Sequence, residues 1–152
     1  MLFRSVTGTG WSLDTGATLD ATLIGSAVTT TLDVVPKHIT LTNNGNVATR
    51  HVSFRLAAHT AIVYVEVKID LGSRFRWTGT VPAGQTLQVL QRQDYAAITL
   101  AGASAYNGFS YSTNFGNGWW LELQPGANTA YVTVYGGDGQ DTITFDHADG
   151  WG

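Results

Sequence analysis

The chain has no cysteine, and it holds only one methionine, two lysines, two glutamates and three prolines among 152 residues. Each shortage excludes something. Without cysteine there are no disulfides and no thiolate metal sites. Eight basic residues, scattered along the chain, stand against eleven acidic ones for a formal net charge of -3. That is not the basic footprint of a nucleic-acid binder. No apolar run approaches the ~20 residues that a membrane-spanning helix needs. The start, Met1 to Gly8, shows no basic-then-apolar leader pattern. The expectation is a chain that binds no nucleic acid and inserts in no membrane. Scarce Lys, Glu and Met also remove the straight-chain helix formers.

What is abundant is β chemistry: 21 threonines and 18 glycines, with many further β-branched and aromatic residues. A chain of this length fits one domain, and burying roughly 68–70% of its unfolded surface needs no covalent or metal staple. Hydroxyls and amides supply most of the surface polarity. Such a face suits a permanent assembly as well as an ordinary low-charge β-domain.

The apolar residues recur with a period of two. Val28, Leu32 and Val34 share one face, with Thr29, Thr31 and Asp33 on the other. Ile39 and Leu41 alternate with Thr40 and Thr42, and Val52, Phe54 and Leu56 with His51, Ser53 and Arg55. Over 61–70, Val63, Val65, Val67 and Ile69 oppose Tyr64, Glu66, Lys68 and Asp70. Leu87 and Val89, Val132 and Val134, and Ile143 and Phe145 continue the pattern. Asn43-Asn44-Gly45-Asn46, Pro82-Ala83-Gly84, Pro125-Gly126-Ala127-Asn128 and Gly136-Gly137-Asp138-Gly139 punctuate it, through residues that tolerate positive φ. The predicted fold is an all-β, antiparallel β-sandwich of jelly-roll or galectin-like type with little or no helix. Residues 18–152 form its single domain. Residues 1–17, with Phe3, Trp11 and Leu13 as isolated apolar points, read as a loosely packed segment or an arm that clasps a neighbour.

Chemistry has few candidates. Glu66 and Glu122 are the only glutamates, and both read as solvated strand residues rather than a glycosidase pair. No nucleophile elbow, phosphate-cradling loop or His-Glu-x-x-His helix occurs. The expectation is no enzyme and no cofactor. Asp138, Asp141, Asp146 and Asp149 cluster late in the chain without the spacing of a calcium loop. Turn and cap duty is their expected role, and no metal site is assigned. His38, His51, His59 and His147 lack ligand spacing and are expected at the surface or at an interface.

The aromatics are denser. Tyr106, Phe109, Tyr111, Phe115, Trp119 and Trp120 fall in one short stretch with Asn107, Asn114, Asn117 and four nearby glycines. Flat rings stack on sugars and amides bond hydroxyls, so a glycan-binding loop fits. A protein–protein hot spot fits equally, as does a tryptophan that plugs the core. Tyr106, Tyr111, Phe115, Trp119 and Trp120 are the candidate glycan- or partner-binding residues. Phe3, Trp11 and Leu13 are the candidate assembly arm.

Three motifs then fall in order. They are Ile39-Thr40-Leu41-Thr42-Asn43-Asn44-Gly45-Asn46, the stretch from Trp77 through Pro82-Ala83-Gly84-Gln85 to Leu87, and Leu123-Gln124-Pro125-Gly126-Ala127-Asn128. Together they resemble the C-terminal, galectin-like or carbohydrate-module-like domain of siphophage distal tail proteins, over about residues 19–147. The resemblance implies a sandwich on a virion tail, assembled in the host cytoplasm. It also implies homo-oligomeric packing, contacts with other virion proteins (tail tube, baseplate or capsid) and in some members a host glycan. Distal tail proteins carry a large ring-building domain ahead of this module, where here a short arm precedes it. The expectation is therefore a tail or baseplate component or decoration, with a glycan-attachment module as the alternative.

Overall fold

The computed structural model describes residues 25–70, 73–92, 95–110 and 121–152. Ten strands run through them: β1 (Gly25–Thr31), β2 (Lys37–Asn43), β3 (Val52–Ala57), β4 (Ile62–Ile69), β5 (Arg74–Val81), β6 (Thr86–Arg92), β7 (Tyr95–Leu100), β8 (Ala103–Ser104), β9 (Gly126–Gly136) and β10 (Thr142–Ala148). A 3-10 turn at Tyr106–Gly108 is the only helical element among the described residues. The strands pair antiparallel in two sheets. One has six strands in the order β1-β10-β3-β6-β7-β8, and the other four in the order β2-β9-β4-β5. The predicted all-β sandwich is the observed architecture.

Alternation builds the interior. Ile39 and Leu41 of β2, Val65 and Val67 of β4, and Ala130, Val132 and Val134 of β9 point in from the four-stranded sheet. Phe54, Leu56, Leu87, Val89, Ile98, Ile143 and Phe145 meet them from the six-stranded sheet in one cluster. Phe54 of β3 touches Phe75 of β5 edge-on, with ring centroids 5.4 Å apart, so the sheets are joined ring to ring. Edge-on contact sets the positive rim of one ring against the negative face of the other.

The strict period of two fails after β1 and within β4. β1 ends at Thr31; Leu32 still turns inward, but Val34 lies exposed in the bend before Pro36. The residue before a proline is restricted and the proline offers no N–H, so the ladder stops there. In β4 the pairing register shifts between Ile62 and Tyr64, on both the β5 and the β9 side. Ile62 is fully buried while Val63 is 47% exposed. This β-bulge puts Val63 and Tyr64 consecutively on the outer face, where simple alternation buries Val63.

Two expectations about polar residues are also corrected. The Asn43–Asn46 turn uses no positive φ. The buried Asn43 side chain holds it instead: Oδ1 accepts from Gly45 N–H and Gly150 N–H, each at 2.9 Å, and Nδ2 donates to the Val47 carbonyl at 2.8 Å. His147, expected at the surface or at an interface, is buried with Nε2 donating 2.7 Å to the Thr42 carbonyl. Its position on β10 points it inward, and a backbone acceptor satisfies it there.

Candidate functional site

Of the aromatic stretch, Tyr106 and Phe109 are described. Tyr111, Phe115, Trp119 and Trp120 lie outside the described residues, as do Phe3, Trp11 and Leu13 and the boundary of the arm. The described start of the stretch is fastened to β5. The buried Trp77 indole N–H donates to the Ala105 carbonyl at 2.7 Å, and Ser110 N–H donates to the Arg76 carbonyl at 3.1 Å. Phe109 forms a bridge with Trp77 and stacks on Phe75 with centroids 5.5 Å apart. Phe109 therefore serves the core. Tyr106 is exposed, and its hydroxyl donates to the Ala96 carbonyl.

A second aromatic surface escaped the sequence reading. It is the outer face of the four-stranded sheet, where cross-strand register brings alternate residues together. Tyr64 of β4 pairs with Tyr135 of β9, and their rings stack with centroids 4.6 Å apart and planes 18° from parallel. His38 of β2 meets Tyr131 of β9 edge-on at 4.6 Å. Tyr135 is 58% exposed, and the bulge adds Val63 at the same end of the strand pair. Each residue is visible in its own strand as the wet alternate. Which strand lies beside which is what the linear pattern leaves open.

The same face carries an ionic cluster. Glu66 accepts from Arg76 Nη2 at 3.0 Å, lies 3.6 Å from Arg74 Nε, and accepts a hydrogen bond from the Tyr64 hydroxyl at 3.4 Å. The bond to Glu66 raises the Arg76 pKa further above its ordinary value. Burial, then the Glu66 charge, pushes the Tyr64 phenol above its ordinary value, so it stays neutral. The arrangement offers flat rings beside bidentate hydrogen-bonding groups.

The remaining polar candidates do structural work. Glu66 and Glu122 are not freely solvated as expected; each is half-buried against a guanidinium, Glu122 at 3.2 Å from Arg50 Nε. Strand register sets Arg76 opposite Glu66, which is why the carboxylate is covered. Asp141 is buried and accepts from the backbone N–H groups of His59 at 2.7 Å and Asp138 at 3.2 Å. Asp138 accepts from Gln140 N–H at 3.0 Å and lies 2.6 Å from His59 Nδ1. Asp149 holds Asn44 N–H at 2.9 Å, and Asp146 pairs with Arg55 at 3.4 Å. Turn and pairing duty is thus what these four carboxylates perform. Among the described residues, no three His, Asp or Glu side chains are grouped to hold a metal ion, and no helix is long and apolar enough to cross a membrane.

No protein-family model matches the chain, and no curated protein matches it in sequence. Among solved structures it is similar to the SPP1 Dit (gp 19.1) protein, described as a paradigm of the hub adsorption apparatus in Gram-positive infecting phages. The TM-score is 0.51 at 17% identity, over 80% of this chain and 46% of that one. The likeness is one of fold, and this chain spans less than half of the hub protein's length.

Proposed function

We propose that this protein is a non-enzymatic structural component of a bacteriophage tail, a relative of the galectin-like module of distal tail proteins. The observation that carries the reading is the shared sandwich fold with a tail hub protein over 80% of the chain. Two features agree with it. Successive strands cross repeatedly between the sheets, as in a jelly roll, and the three ordered motifs over residues 39–134 resemble that family. The chain would act by shape-complementary contact between low-charge β surfaces, packing with copies of itself and with tail tube, baseplate or capsid proteins. Its place would be the virion tail, with assembly in the host cytoplasm. Mass spectrometry of purified particles, with gold-labelled antibody to locate the chain, tests this. Labelling at the tail is expected. Particles that lack the chain would overturn the reading.

A second reading, attachment to a host glycan, is favoured by one observation: the exposed Tyr135 ring stacked on Tyr64 beside the Glu66–Arg76 pair. Aromatic faces stack on the C–H face of a sugar, and the charged pair suits its hydroxyls. A glycan array comparing the native chain with Tyr135→Ala and Trp119→Ala separates this face from the 106–120 stretch. An empty array for the native chain removes the reading.

A further inference from the structure

Among the described residues four strands end a sheet, and three of them are guarded. β8 is two residues long. β5 is bridged by Phe109, and its Arg76 carbonyl accepts from Ser110 N–H. β2 opens with Lys37 directly after Pro36, and His147 occupies its Thr42 carbonyl. Shortness, cover, charge and proline are the devices that keep a sheet edge from pairing with another chain.

Among the described residues, β1 has none of them. Its seven residues pair one for one with β10, from Gly25 opposite Ala148 to Thr31 opposite Thr142, without a bulge. No charged residue and no proline occur from Ala21 to Leu32. Among the described residues, no strand lies on its outer side. Ala27, Thr29 and Thr31 are exposed on one face, and Val28 packs against the core from the other.

An edge of this kind is a row of N–H and C=O groups, and an antiparallel copy of the same row is its complement. Self-pairing sets no like charges opposite one another, and it brings threonines and alanines into cross-strand contact. Threonine pairs across strands are favourable, and β1 already makes one with β10, where Thr29 Oγ1 lies 2.9 Å from Thr144 Oγ1.

We propose that β1 joins two copies of this chain, edge to edge and antiparallel, merging their six-stranded sheets into one. This names the interface for the homo-oligomer proposed above and rests on that reading. Its test can fail without touching the tail assignment. It can also fail while the oligomer stands.

The chain has no cysteine, so single-cysteine cross-linking has no background. Ala27→Cys, Thr29→Cys and Thr31→Cys are made in the full chain, with Thr40→Cys on the guarded β2 as control, and oxidised singly and as a mixture. Opposed Cβ atoms in a strand pair lie about 4.5–5.5 Å apart, close to disulfide reach. A disulfide-linked dimer is expected as the main product at one β1 position, or between two β1 positions in the mixture, and none is expected from Thr40→Cys. The double variant Ala27→Lys/Thr31→Lys should dimerise roughly tenfold or more weakly. Mixing it with Ala27→Glu/Thr31→Glu should restore pairing. An oligomer that gives no β1 cross-link and ignores the lysines overturns the β1 interface and leaves the oligomer standing. That result includes an edge covered by residues 1–24. A native protein that stays monomeric overturns both.

Discussion

The indole N–H of Trp77 reaches 2.7 Å to the carbonyl of Ala105, tying the edge of the four-stranded sheet to the segment that leads into the aromatic stretch. Two glycines make room for that ring. A Cβ at Gly79 would lie 2.7 Å from the indole Cη2, and one at Gly108 would collide with the indole and with the Thr78 carbonyl. The Trp77–Ala105 bond and the two close glycines thus hold the described residues 105–110 against β5.

Trp77→Phe should therefore destabilise the protein by about 1–3 kcal/mol, because the Ala105 carbonyl loses its buried donor. Gly108→Ala should be at least as harmful, since one of its clashes is with backbone that has no rotamer to change. Urea unfolding checks both. A lower midpoint at an unchanged slope is expected, because the folded and unfolded surfaces are otherwise the same.

The Asn43 amide is a second hub. It holds Gly45, Val47 and Gly150, and Gly45 approaches Gly150 so closely that a Cβ there would overlap the Gly150 carbonyl. Asn43→Ala should cost roughly 2–3 kcal/mol, as several buried backbone groups lose partners together. Hydrogen exchange at Gly150 should speed up in this variant while exchange in β3 and β6 stays slow, which separates local release of the last residues from global loosening.

Much of this was legible in the sequence, and the exceptions share a cause. Ile39, Leu41, Val65, Val67, Val132 and Val134 all point inward as alternation predicts, since a half-buried strand has only one way to hide its apolar face. Asn43-Asn44-Gly45-Asn46 was readable as a turn, yet its mechanism was only half so: the Asn43 bonds to Gly45 and Val47 are local, while the third comes from Gly150, more than a hundred residues on. The Tyr64–Tyr135 stack was hidden for the same reason. Pairing of β4 with β9 is a long-range fact, and nothing in the local pattern of either strand states it.

Acid should weaken the end of the sandwich built on Asp138. The bond from Gln140 N–H, then the His59 ring, holds its carboxyl below the ordinary value of 3.8. Asp33, bonded by Lys37, is lowered likewise. A carboxyl whose pKa is depressed by folding contributes stability that is whole above 3.8 and is lost as pH falls through the lower folded value. Asp138→Asn should leave a smaller loss on acidification below about pH 4, read as urea midpoints from pH 2 to 7. Identical acid limbs for the two proteins would contradict the assignment.

The bulge in β4 makes a prediction opposite to the one that alternation alone makes. With Val63 turned outward, Val63→Lys should change stability by no more than about 0.5 kcal/mol, as at other exposed positions. Ile62→Ala should cost about 2–5 kcal/mol, because Ile62 is fully buried and its cavity would be lined by core residues. Val65→Lys, two residues further along the same strand, would bury an ammonium among Val67, Trp77 and Val134 and should prevent folding. Urea midpoints for the three variants decide the matter. A severe loss from Val63→Lys would mean that the strand keeps its period of two through Ile62–Tyr64, with Val63 turned inward and Ile62 outward.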